Sequence, residues 1–155
     1  KCIINSLNYF EESSLKGWRI YLIGLKKNKT IQHRSGVKLI YRQYLEFKEI
    51  FKLYESSYCL LFPSLFESFG IPLVDAMKTS CHIIASKQGS PKEICGDNCI
   101  YFDPNSSYQL SEKISQIISN YPLPPVINSK NKALNQTWYK SSKTIFRIIE
   151  DKILN

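Results

Sequence analysis

Five short, nearly all-apolar runs divide this chain, and helix-period patterns or turn residues fill the spaces between them. WRIYLIG (Trp18 to Gly24), VKLIY (Val37 to Tyr41), YCLLFP (Tyr58 to Pro63), HIIAS (His82 to Ser86) and CIYF (Cys99 to Phe102) each have the length and side chains of a strand. They are apolar almost throughout, as strands buried on both faces are. In EFKEIFKLYESS, Phe47, Ile50, Phe51 and Tyr54 stand at i, i+3, i+4 and i+7, one face of a helix. IPLVDAMKTS starts a helix with Pro72 in its first turn, where a missing N–H does no harm. SPKEICGD is a short helix, and SSYQLSEKISQIISN places Leu110, Ile114, Ile117 and Ile118 on one face. This alternation predicts a doubly wound, Rossmann-like α/β domain with one parallel sheet covered on both sides. KCIINSLNYFEESSLKG at the start reads as an amphipathic helix, LKKNKTIQHRSG as a polar loop and YPLPP as a break. The expected organisation is a domain over residues 1–125 and a helical tail over 126–155 packed on it.

Composition narrows the partners. No apolar run approaches the roughly 20 residues that a membrane-spanning helix needs. The net charge of +8, from 21 basic and 13 acidic residues, suits a lysine-coated surface or an anionic partner such as a nucleotide phosphate or an acidic lipid surface. The basic residues are scattered and no RNA-binding aromatic signature, zinc spacing or basic helix accompanies them, so nucleic acid is disfavoured. Five cysteines, Cys2, Cys59, Cys81, Cys95 and Cys99, form no C-x-x-C pair and are expected to be free thiols in a reducing compartment.

The stretch FPSLFESFGIPLVDAM (Phe62 to Met77) carries the candidate chemistry. It runs from a strand end through Glu67 and Gly70 into a helix that holds Asp75. In open parallel sheets ligands bind beyond the carboxyl ends of the strands, where this loop lies. The helix start offers unpaired N–H groups and a positive dipole end, suited to phosphate, and carboxylates suit sugar hydroxyls. Local chemistry alone equally allows Asp75 as a capping acid and Glu67 as a solvated loop acid. His82 reads as the residue that starts a strand, and His33 as a solvated loop histidine.

In their linked order, LLFPSLFESFGIPLVDAM, IIAS and SPKEICGDNCIYFDP, with TWYKSSKTIFRIIE near the end, resemble the donor-binding domain of glycosyltransferase family 4, the retaining group 1 enzymes of GT-B fold. The resemblance covers most of residues 18–155. It implies the C-terminal half of a GT-B fold, with a nucleoside-diphosphate sugar as donor and neither metal nor other cofactor. Glu67 would be the catalytic-site residue that hydrogen-bonds the donor sugar. Ser68, Phe69, Gly70 and Ile71 would hold the sugar and distal phosphate. Asp75 would bind the ribose, where the family usually has a glutamate, one methylene longer. Ser68 and Ser80 stand where glycine is common, and His82 where proline is common. The family's first strand, its phosphate-binding Arg and Lys and its acceptor-binding domain lie upstream of the first helix, so they are expected outside residues 1–155. The implied function is sugar transfer to a glycan or lipid-linked acceptor, in the cytoplasm or peripherally on the inner membrane face, with the chain alone inactive. The alternatives are a nucleotide-sugar epimerase or related GT-B enzyme, and a non-catalytic domain that binds sugar nucleotides or scaffolds a larger protein.

Overall fold

The computed structural model describes residues 1–120, 127–135 and 137–153. Strands β1 (Arg19–Ile23), β2 (Lys29–Gln32) and β3 (Lys38–Arg42) form one sheet in the order β1-β3-β2. Strands β4 (Cys59–Phe62), β5 (His82–Ser86) and β6 (Ile100–Phe102) form a second in the order β4-β5-β6. β1 pairs with β3 in parallel, from Arg19 beside Lys38 to Ile23 beside Arg42. β4 and β6 both run parallel to β5. The helices are α1 (Cys2–Ser6), α2 (Phe47–Ser56), α3 (Ile71–Lys78), α4 (Ser90–Cys95), α5 (Ser107–Ser119), α6 (Ile127–Leu134) and α7 (Trp138–Ile153).

The second sheet is covered on both faces, and strand alternation shows how. Ile83 and Ala85 pack with Leu73, Val74 and Met77 of α3 and with Ile94 of α4. Ile84, between them, points the other way, to Leu110, Ile114 and Ile117 of α5 and to Phe102. The α/β class with a parallel sheet is therefore present. α2 starts where Glu49 Oε2 accepts from the Glu46 amide at 2.8 Å, the return half of a capping box. Its Ile50, Phe51 and Tyr54 are half-buried, whereas Phe47, expected on the same face, is exposed and rests on Phe51 with ring centroids 4.7 Å apart.

Three local expectations are corrected. The polar loop contains a strand, β2, which runs antiparallel along the outer edge of β3. All four of its residues are exposed, so it has no buried face to show as an apolar pattern. The opening helix is short: α1 ends at Ser6 and a 3₁₀ turn follows over Leu7–Tyr9. Residues further on are held instead by tertiary contacts, with the Ser13 amide donating to Arg34 O at 3.0 Å. Lastly, the strands lie in two sheets rather than one. β1 and β4 each end their own sheet, and a cavity of about 500 Å³ lies between them, lined by Ile20, Tyr21, Leu60 and Leu61 with Ile3 and Ile117. The two sheets meet where Trp18, just before β1, packs edge-on against Tyr58, just before β4, at 5.0 Å. The starts of β1 and β4 therefore lie side by side.

In the tail, Ala133 of α6 is buried in the α3 core, and Lys132 Nζ donates to Glu93 O at 3.4 Å. The described side chains of α7 are exposed. The boundary expected at residues 125 and 126 lies outside the described residues.

Candidate functional site

β4, β5 and β6 are parallel, so the segments that follow Phe62, Ser86 and Phe102 share one edge of the sheet. Glu67 lies in the first of these, between Pro63 and Gly70. The loop is shaped at its start by Ser64 Oγ, which donates to Phe66 O at 3.0 Å. It ends at Gly70, which is buried and left-handed, with φ of 73° and ψ of 50°. A Cβ there would stand 2.9 Å from Leu73 Cδ1 and 3.3 Å from Ile94 Cδ1. Glycine thus answers both a backbone and a packing demand at the turn.

Gly70 hands the chain to α3. Its carbonyl accepts from Leu73 N at 2.9 Å and from Val74 N at 3.4 Å, and Pro72 brings no N–H. The amides of Ser68, Phe69, Gly70 and Ile71 donate to no backbone acceptor among the described residues. The Gly70 and Ile71 amides are orphan donors of the helix start, and those of Ser68 and Phe69 belong to the loop that leads into it, at the carboxyl edge of a parallel sheet. Phe66, Phe69 and Ile71 carry exposed apolar side chains around them.

The neighbouring segments complete the edge. The Gly89 position lies against the loop, its ideal Cβ 4.0 Å from Glu67 O. Ser90, the first residue of α4, has a buried Oγ that makes no hydrogen bond among the described residues. Lys87 Nζ meets Asp103 Oδ2 at 2.8 Å, tying the end of β5 to the end of β6. That hydrogen bond, and next the one from the Asn105 amide, holds the Asp103 carboxyl below its usual range. Lys87 belongs to no motif; its signal is its place, one residue past a strand in a parallel sheet.

Glu67 is half-buried, not fully solvated, and its carboxylate makes no hydrogen bond or ion pair among the described residues. Asp75 does not cap α3. It sits in the second turn with its side chain only 14% exposed, and Lys78 Nζ approaches Oδ1 at 3.3 Å. Burial first, and then the charge of Asp75, push the Tyr54 hydroxyl of α2 up to about 12. The structure thus gives Asp75 an ammonium partner on its own helix, lets its charge reach the Tyr54 phenol of α2, and among the described residues joins it to Glu67 by no hydrogen bond or ion pair. His82 begins β5 as expected, half-buried, and burial lowers its imidazole below the usual value. All five cysteines are free.

A parallel, doubly covered α/β sheet with an open helix start at its carboxyl edge defines a Rossmann-like domain. The description of the family Glycosyl transferases group 1 matches residues 3–134, and the chain belongs to that family. The fold is that of the C-terminal half of a GT-B glycosyltransferase. O-antigen chain mannosyltransferase B from Escherichia coli is 29% identical over 80 residues, 52% of this chain and 21% of that one. A sucrose synthase from Melioribacter roseus is 29% identical over 92 residues, 58% of this chain and 10% of that one. Among solved structures, the C-terminal domain of the group 1 protein LpcC from Francisella tularensis is 29% identical with a TM-score of 0.54, covering 63% of this chain and 53% of that one. The chain spans only 10% to 34% of the length of these and similar curated relatives. No described helix is long and apolar enough to cross a membrane.

Proposed function

We propose that residues 1–155 form the nucleotide-sugar-binding half of a metal-independent retaining glycosyltransferase, which moves a sugar from a nucleoside-diphosphate donor to a glycan or lipid-linked acceptor. The observation that carries this reading is the run of amides from Ser68 to Ile71 leading into α3, beside the Glu67 carboxylate, none of which has a partner among the described residues. Amides fixed by the fold can meet a diphosphate without reorganising, and they stabilise the negative charge that grows as the nucleoside diphosphate departs. Glu67 would accept from donor-sugar hydroxyls. Asp75, close to Tyr54 and Lys78, would bind the ribose through the oxygen that Lys78 leaves free. The acceptor would be held by a further domain, so the chain alone binds donor and transfers nothing. The parent enzyme would work in the cytoplasm or peripherally at the inner membrane face.

Calorimetry with UDP, GDP and ADP, and with the sugars they carry, tests the division of roles. Glu67→Gln should weaken the sugar donor by about ten- to a hundredfold, the worth of one charge-assisted hydrogen bond, and leave the bare diphosphate unchanged. Asp75→Asn should weaken both alike. Equal loss of diphosphate and donor in Glu67→Gln would remove Glu67 from the sugar site.

A further inference from the structure

At the opposite edge of the molecule, away from Glu67, lies a cleft of about 650 Å³ whose lining includes Lys16, Arg19, Arg34 and Lys38, with His33 and a single carboxylate, Glu12. Arg19 and Lys38 are the first residues of β1 and β3, and the starts of β1 and β4 adjoin through Trp18 and Tyr58. The cleft is therefore on the amino-end side of the strands, whereas Glu67 follows a carboxyl end.

Its cations are arranged against their own interest. Arg19 and Lys38 are register partners on neighbouring parallel strands, so their side chains leave the same face of the sheet. Like charges so placed repel. Neither they nor Lys16 nor Arg34 makes an ion pair among the described residues, where the two ion pairs are Lys78–Asp75 and Lys87–Asp103. All four side chains are solvent-exposed and the Arg34 guanidinium also donates to Asn8 O, so the cleft is an open concave surface that carries four cations against one carboxylate, an excess that draws anions to it.

The frame that holds these charges is built, not a loose surface. Segment 13–16 is hydrogen-bonded to segment 33–36 through Ser13 N to Arg34 O at 3.0 Å and Leu15 N to Ser35 O at 2.6 Å. Ser35 is fully buried. Gly36, at φ of 89°, lets the two backbones touch: a Cβ there would stand 2.7 Å from Lys16 N. His33 Nδ1 accepts from the Ser35 amide at 3.2 Å and lies 3.0 Å from Ser35 Oγ, which fixes the ring in the frame.

We propose that this cleft binds an anion bearing two or more phosphate charges, at a site separate from the donor site. Four cations in a rigid frame suit multiply charged phosphate, and the volume exceeds what a single small ion fills. The ligand class could be met by a soluble phosphorylated compound or by a phospholipid headgroup, and the experiment separates them.

The test is an NMR titration of the whole chain with inorganic tripolyphosphate at constant ionic strength, with sulfate as reference. The amides of Arg34, Ser35 and Gly36 report on the cleft and those of Phe69 to Ile71 on the donor loop, so the two sites are read apart. Saturable shifts at 34–36 are expected at a tenth or less of the sulfate concentration that produces them. Arg19→Gln with Lys38→Gln should raise the midpoint at least tenfold, Lys16→Gln less, and Lys48→Gln on α2 not at all. Co-sedimentation with phosphatidylglycerol vesicles, lost in the double variant, would name the headgroup as the source; tripolyphosphate binding without vesicle binding would name a soluble ligand. Shifts confined to 69–71, or a midpoint equally raised by Lys48→Gln, would overturn the proposal.

Discussion

Two single residues carry consequences that can be measured directly. Gly70 holds a left-handed backbone with no room for a methyl group between Leu73 and Ile94. Gly70→Ala should cost about 1–2 kcal/mol for the backbone alone. In a chain of this size that lowers the thermal midpoint by about 2–4 °C per kcal/mol, seen by calorimetry. It should also tilt the Phe69 and Ile71 amides, so nucleotide affinity should fall even at temperatures where the fold is intact. Unchanged affinity in a destabilised but folded variant would detach the turn from the site. His82 supplies a pH effect whose sign follows from burial, which lowers its imidazole. The unfolded ring titrates near 6.5, so below that pH the unfolded state binds more protons than the folded one. The stabilisation is complete above about 6.5 and is lost as pH falls through the lowered folded value. Between pH 7 and 5 the wild-type midpoint should fall more steeply than that of His82→Gln; parallel curves would exclude His82 as the cause.

Among the elements, β1 is the most exposed to test because one of its edges is open. Trp18 O accepts from Lys38 N and Gly24 N donates to Arg42 O, so even-numbered residues turn their backbone groups to β3. Arg19, Tyr21 and Ile23 therefore aim theirs at the cavity beside β4. In hydrogen exchange, the Tyr21 and Ile23 amides should exchange at least tenfold faster than Ile20 and Leu22. Equal protection would mean that something pairs with this edge. The same strands show what was legible in advance. β1, β3, β4, β5 and β6 are all apolar runs and all form strands, but only β3 and β5 are mostly buried; β1 alternates exposed and half-buried residues and β4 is half-buried throughout. α3 and its glycine turn were readable too, since Gly70, Pro72 and the apolar face of Leu73, Val74 and Met77 act locally. β2 was not readable because KTIQ buries nothing and exists by pairing with β3. The pairing of Asp75 with Lys78 and the cleft built by Lys16, Arg19, Arg34 and Lys38 were hidden too. The first depends on a rotamer, the second on two distant loops brought together by the fold. The break between β1 and β4 depends on which strands neighbour each other, which apolar runs alone do not encode.

For the whole molecule, that break raises the question of what makes the two sheets one folding unit. No hydrogen-bond ladder joins them among the described residues, so the coupling must run through side chains and through α1 against α5. Besides the Trp18–Tyr58 contact, Phe10 and Ile118 join the two sides. Each packs on the core of the first sheet, with Leu7, Leu15, Val37, Leu39 and Tyr41, and also on the core between the second sheet and α5. Such a bridge contributes to cohesion more than to either core. Ile118→Ala removes apolar contact from both sides and, at a half-buried position, should cost about 1–3 kcal/mol, toward the low end for truncating isoleucine. The loss should not be shared evenly. The first sheet has the exposed β2 along one side and the open edge of β1 on the other, while the second is covered on both faces. Native-state hydrogen exchange should therefore show β3 amides, such as Leu39 and Ile40, opening at lower free energy than Ile83 and Ile84 of β5. The gap should widen in Ile118→Ala, as the first sheet begins to open on its own. A uniform drop in both sheets would show instead that they unfold together despite the missing ladder, with the Trp18–Tyr58 contact and α1 carrying the coupling.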